Sequence, residues 1–89
     1  MIKTNTLIIN KLGLHARAAS KLVTTASSFA SQIRIGKDDK MADAKSIMAV
    51  MMLAACKGTE LYLEVEGHDQ DQACQAVIDL INRRFDEEE

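Results

Sequence analysis

The spacing of apolar residues changes period several times along the chain, and each change marks an element. Thr4 to Ile9 reads as a strand, because Thr6-Leu7-Ile8-Ile9 is apolar and β-branched without helical spacing. The run Leu7-Ile8-Ile9 blurs the alternation and leaves the inward face open. Asn10-Lys11-Leu12-Gly13 then breaks the pattern with turn residues, Gly13 permitting backbone geometry that a side chain resists. From Ala16 onward Ala19, Leu22, Val23, Ala26 and Phe29 or Ala30 recur at three- and four-residue spacing, which predicts an amphipathic helix starting beside His15. Thr24, Thr25, Ser27, Ser28 and Ser31 compete for backbone hydrogen bonds, so this helix is expected to fray between Ser27 and Ser31.

Gln32-Ile33-Arg34-Ile35 alternates and places Ile33 and Ile35 on one face of a second strand. Gly36-Lys37-Asp38-Asp39 supplies a polar turn, and Lys40-Met41-Ala42-Asp43 follows as a short third strand antiparallel to the second. Ser46 is placed as the N-cap of a second helix that runs through Ala54-Ala55 and ends at Lys57-Gly58. So short a helix cannot bury all of Ile47, Met48, Val50, Met51, Met52 and Leu53, and part of this adaptable, Met-rich surface is expected to face solvent as a docking patch. Glu60 to Glu66 alternates cleanly, with Leu61, Leu63 and Val65 on one side and charges or Tyr62 on the other. After Gly67-His68-Asp69, the residues Ala73, Ala76, Val77, Leu80 and Ile81 predict a third helix capped by Asp69 or Asp71. The order is βαββαβα. One-sided strands and amphipathic helices fit an α+β fold, a four-stranded, mostly antiparallel sheet with three helices packed on one face, formed as a single domain by residues 1–89.

Size narrows the chemistry. At 89 residues the chain can fold alone but cannot enclose a deep pocket, which favours surface chemistry over catalysis on a buried small molecule. The formal net charge of -2, with its acidic excess ending in Asp86-Glu87-Glu88-Glu89, disfavours nucleic acid and anionic membranes as partners. No run has signal-peptide or transmembrane form, so a cytoplasmic location is expected. Cys56 and Cys74 lack CxxC pairing and are expected to be reduced, half-buried thiols. His15, His68, Cys56 and Cys74 show no ligand spacing, so neither a metal nor another cofactor is expected.

The candidate chemistry lies in Gly13-Leu14-His15-Ala16-Arg17, where a strand gives way to a helix. Imidazole is nucleophilic when neutral; its ordinary pKa of about 6.5 puts it near the switching point, and the positive end of a helix disfavours imidazolium. Unpaired N–H groups of Ala16, Arg17 and Ala18, with the planar Arg17 fork, could cradle an attached phosphoryl group. Taken alone, a histidine placed like His15 is more often a solvated loop residue and Ser46 is most simply an N-cap, while the methionines read as ordinary core or, for want of a polar face on so short a helix, as partly exposed. Lys21 and Lys45 either add positive charge around a docking face or are merely solvated. His68 is read as an exposed turn residue without chemistry.

Two stretches together go further. Gly13-Leu14-His15-Ala16-Arg17 and Lys45-Ser46-Ile47-Met48-Ala49-Val50-Met51, at this spacing, resemble the phosphohistidine and serine-centred motifs of the bacterial HPr phosphocarrier family, including its nitrogen-branch relative NPr. The resemblance covers nearly the whole chain and implies an HPr-like open-faced sandwich. It implies that enzyme I, charged by phosphoenolpyruvate, passes a phosphoryl group to the Nδ1 atom of His15, that Arg17 stabilises the phosphate charge, and that an EIIA-type acceptor removes the group. Such a carrier turns over no substrate by itself. By the same resemblance Ser46 is a candidate target of an HPr kinase/phosphorylase; within the exposed patch read from the second helix Ile47, Met48 and Met51 are the candidate docking residues, and exchange between partners through one face suits a monomer. The family usually has proline where this chain has Ala18; alanine leaves the first helical turn less preset and restores one N–H, so altered stability or hydrolysis rate with retained phosphorylation is expected. The alternative is a regulatory interaction module that signals its phosphorylation state without carrying transport flux.

Overall fold

The computed structural model describes residues 1–89. Its elements are β1 (Ile2–Leu7), α1 (Ala16–Ser27), β2 (Gln32–Lys37), β3 (Lys40–Asp43), α2 (Ile47–Met52), β4 (Glu60–Glu66) and α3 (Gln70–Asn82), followed by a short 3₁₀ turn, Arg84–Asp86. The sheet order is β1-β4-β2-β3 with every pairing antiparallel. This is the expected open sheet with helices on one face. Strict alternation decides which face is covered: Ile33 and Ile35 of β2 and Leu61, Leu63 and Val65 of β4 are buried, while Arg34 and Glu64, paired across the two strands, form an ion pair on the wet side at 3.5 Å. The buried sheet residues join Ala19, Leu22 and Ala26 of α1 and Val77, Leu80 and Ile81 of α3 in one core.

Several boundaries differ from those predicted, each for a structural reason. β1 begins and ends two residues before the expected Thr4 and Ile9, because its register with β4 closes at Leu7 opposite Glu60. Ile8 leaves the strand to bond the Thr59 carbonyl at 2.9 Å, yet its side chain stays fully inside. β2 continues to Lys37, so the hairpin turn shrinks to Asp38 and Asp39, with Asp38 at a positive φ of 57° that a short polar side chain tolerates. α1 ends at Ser27, inside the stretch expected to fray, and its stripe finishes on half-buried Phe29 rather than exposed Ala30.

The largest correction concerns α2, which stops at Met52 instead of running to Lys57-Gly58. Ala54 turns to a φ of 52°, its carbonyl accepts a bond from Lys37 Nζ at 3.1 Å, and the next carbonyl, that of Ala55, accepts from Leu14 N at 2.9 Å. The backbone that would have extended the helix holds the loop before α1 instead. Asp69 is the N-cap residue of α3 by position, but its side chain makes no cap bond. Its carboxylate instead accepts from Ala30 N and Ser31 N, both at 2.9 Å, and from Ser31 Oγ, tying the start of α3 to the end of α1. Gly67 permits that approach, since a Cβ there would lie 2.6 Å from Ser31 Cα.

The Ser31 hydroxyl, helped by the Ala30 and Ser31 amides, lowers the Asp69 carboxyl from 3.8 to about 2. A folded-state value below the unfolded one contributes stability that is complete above the unfolded pKa and is lost as pH falls through the folded one. Thermal melts are therefore expected to show the wild type losing stability between about pH 4 and about pH 2 through this group, with Asp69→Ala less stable at neutral pH and flatter across that window. Parallel acid limbs for the two proteins would contradict the assignment.

Candidate functional site

The site is built on a close backbone approach. Gly13 has a φ of 66°, and a Cβ placed on it would sit 2.6 Å from the Ala55 carbonyl oxygen and 2.8 Å from Cys56 Cα. Only glycine meets both conditions without displacing backbone. The contact, with the Leu14 N to Ala55 O bond and a buried Leu14 side chain, pins the loop from Asn10 to Leu14 and delivers His15 to the N-cap of α1 in extended conformation, φ -73° and ψ 176°.

His15 makes no side-chain cap bond, and the first helical hydrogen bond runs from Ala19 N to the His15 carbonyl at 2.8 Å. The N–H groups of Ala16, Arg17 and Ala18 consequently have no partner within the chain. Arg17 stands exposed on the same turn, with no ion pair, and lines a shallow depression of about 480 Å³ together with His15, Lys11, Leu12 and Glu87. A partly exposed imidazole, unpaired amides and a guanidinium thus converge at one helix end. They form an arrangement suited to binding an anion beside an imidazole.

Two further residues belong to this site and were missed in the sequence. His15 Nε2 hydrogen-bonds Glu87 Oε2, and Asn10 Nδ2 donates to the other oxygen, Oε1, at 2.9 Å. Asn10 is fully buried; its amide is oriented by a second bond, Nδ2 to the Gly13 carbonyl at 2.9 Å, while its own Oδ1 has no partner. Burial works to raise the Glu87 carboxyl, but the hydrogen bonds from Asn10 and His15 and the nearby His15 and Arg17 charges outweigh it and hold the group below the usual carboxylate range. By sequence Asn10 reads only as a turn residue and Glu87 only as part of a charged tail. Nothing local in the sequence signals a contact between positions 77 apart.

The tail reaches His15 by an unusual route. Arg84, Phe85 and Asp86 all have positive φ, at 59°, 54° and 63°. Phe85 is fully buried, Lys21 Nζ donates to its carbonyl at 3.0 Å, Arg83 Nε bonds Asp86 at 3.0 Å, and Lys11 N donates to the Glu89 carbonyl at 2.6 Å. Lys21 therefore holds the tail, and Lys45 Nζ is bound to the Phe29 carbonyl at 2.8 Å.

The second motif lies on α2. Ser46 is half-buried, and its Oγ accepts from Ala49 N at 3.3 Å, the cap bond expected. Val50 turns inward, whereas Ile47, Met48 and Met51 are exposed, Met48 to 68%. The structure thus leaves these apolar side chains in solvent. Cys56 is exposed and Cys74 buried, both as free thiols; neither is the half-buried thiol expected. His68 is exposed. No helix is long and apolar enough to cross a membrane.

A family model described as "PTS HPr component phosphorylation site" matches residues 2–83. The chain belongs to the HPr family. Among its relatives, the phosphocarrier protein HPr of Pseudomonas aeruginosa is 58% identical over 83 residues, 92% of each chain, and that of Neisseria meningitidis is 52% identical over all 89 residues of both. Among solved structures, an HPr from Thermoanaerobacter tengcongensis superposes with a TM-score of 0.96 at 46% identity over the full length of both chains. An HPr from Bacillus anthracis gives 0.85 at 36% identity, covering 88% of this chain and 93% of that one. The chain is accordingly a phosphocarrier of the phosphotransferase system, a pathway whose HPr proteins work with enzyme I and EIIA-type proteins.

Because both the φ of Gly13 and the space beside it exclude a Cβ, Gly13→Ala is expected to lower unfolding free energy in urea titrations by more than about 1 kcal/mol. An unchanged transition midpoint would show that the loop shifts freely.

Proposed function

We propose that His15 Nδ1 is the atom that carries the phosphoryl group, accepting it from enzyme I and yielding it to an EIIA-type acceptor. The observation that carries this reading is the position of His15 at the N-cap of α1, a helix whose first amides are unpaired, with its Nδ1 making no hydrogen bond within the chain. The Nδ1 lone pair attacks phosphorus, the bond from phosphorus to the donor breaks, and the bonding electrons leave with the donor. The new phosphohistidine is held by the N–H groups of Ala16, Arg17 and Ala18 and by the Arg17 guanidinium, which has no competing ion pair. Transfer onward reverses the same geometry, so the chain carries the group without turning over a substrate.

In this reading the 89 residues act as one cytoplasmic, monomeric carrier domain, and Ile47, Met48 and Met51 form its docking surface. Their exposure supports the assignment. Ser46 adjoins these side chains, so phosphorylation there by an HPr kinase/phosphorylase would set a dianion against an apolar contact and weaken docking.

Intact-protein mass spectrometry after incubation with phosphoenolpyruvate and enzyme I tests the acceptor. One acid-labile phosphoryl group is expected on the wild type and none on His15→Ala; equal labelling of the two would remove His15 from the role. For docking, Ser46→Asp is expected to slow transfer from enzyme I roughly tenfold through a higher KM, since like-charge and desolvation costs of about 1.4 kcal/mol suffice for that factor. An unchanged KM would separate Ser46 from the docking surface.

A further inference from the structure

The His15–Glu87 contact fixes more than the position of a side chain. A carboxylate can only accept hydrogen bonds, so the bond from His15 Nε2 to Glu87 Oε2 requires the proton to sit on Nε2. A neutral ring with Nε2–H keeps its lone pair on Nδ1. The orientation is set from further back. The Gly13 carbonyl accepts from Asn10 Nδ2, which prevents the Asn10 amide from presenting its oxygen there, and the same Nδ2 holds Glu87 Oε1. Buried Asn10 thus aims one carboxylate oxygen at itself and leaves the other for the imidazole.

We infer that Glu87 is a positioning residue for phosphoryl transfer: through the chain Gly13 carbonyl, Asn10 amide, Glu87 carboxylate and His15 Nε2–H, it selects the tautomer whose Nδ1 is free to attack phosphorus. The inference rests on His15 being the acceptor. Glu87 touches neither donor nor phosphoryl group in this role; it acts on the opposite nitrogen of the ring and leaves Nδ1 without a partner in the chain. Against burial, the hydrogen bonds from Asn10 and His15 and the nearby Arg17 charge favour the ionised state it needs.

Glu87→Gln makes a sharp test, because it keeps the shape and reverses the polarity. With Asn10 Nδ2 still requiring an acceptor, the Gln oxygen turns toward Asn10 and the Gln NH₂ faces Nε2, which then becomes an acceptor and moves the proton to Nδ1. Ring nitrogen-15 spectra of the full-length protein above the histidine transition are expected to show mainly Nε2–H in the wild type and a marked shift to Nδ1–H in Glu87→Gln. The initial rate of phosphoryl uptake from enzyme I should fall about tenfold, in proportion to the population of the competent tautomer. Charge alone predicts the opposite sign, since losing a carboxylate near an incoming phosphoryl group removes repulsion. Glu87→Ala, which offers His15 no partner, should fall between the two in tautomer ratio and rate. Glu88→Gln removes a carboxylate from the same depression one residue along, and should keep the wild-type tautomer ratio with uptake no slower than in the wild type. A tautomer ratio unchanged in Glu87→Gln and Glu87→Ala, or uptake by either as fast as or faster than in the wild type, overturns the positioning role. Uptake by His15→Ala would instead overturn the acceptor reading beneath it, and the two failures are distinguishable because the first needs His15 to be labelled.

Discussion

The buried amide of Asn10 joins parts of the chain that have no other reason to meet at this point. One nitrogen serves two acceptors, the Gly13 carbonyl in its own loop and the Glu87 carboxylate from the far end of the sequence. The first bond shapes the loop that presents His15; the second brings the tail onto the imidazole. Its oxygen is left buried and unpaired, a cost of roughly 1–3 kcal/mol relative to a satisfied group. An amide turned the other way would satisfy neither acceptor, so the cost is tied to the orientation of Glu87 and, through it, of His15.

The same site draws on backbone strain. Arg84 and Phe85 in the left-handed region cost about 1–2 kcal/mol each, and of the three successive residues there only Asp86 has a short polar side chain that tolerates it. Full burial of Phe85 returns roughly 1.5–3 kcal/mol, and the bonds from Lys21 and Lys11 to tail carbonyls add to it. The balance is close. Tertiary contacts with α1 and the His15 loop hold the tail, rather than any propensity of its own. The Glu87 contact should therefore open more readily than the sheet or α3.

Much of the fold could be read from spacing. β4 matched its predicted limits because its alternation is uninterrupted, and β3 and the Ser46 cap matched as well. Mismatches arose where long-range contacts redirect backbone or side-chain groups that local rules assign elsewhere. Ala54 and Ala55 are good helix formers, yet their carbonyls are taken by Lys37 and Leu14. Asp69 has the right side chain for a cap, yet its carboxylate is committed to Ala30 and Ser31. His15, Arg17 and the unpaired amides were legible because they follow one another in sequence. Asn10 and Glu87 were not, because the contact that makes them part of the site depends on the tail closing over it, and a left-handed turn through Phe85 has no residue-level signature.

A carrier differs from an enzyme in what its site must avoid. Both donor and acceptor need access to the same phosphorus, so a pocket that enclosed the phosphoryl group would obstruct one of the two transfers. Here the imidazole is partly exposed, the depression around it is shallow, and Arg17 stands in solvent, where its attraction for phosphate is weakened by water and salt. Strong, buried stabilisation of phosphohistidine would lower its energy relative to the next carrier and slow its departure. With His15 as the proposed acceptor, hydrogen bonding falls on the far nitrogen of the ring and the phosphoryl group meets donors at the protein surface, an arrangement that would orient the nucleophile without burying the intermediate.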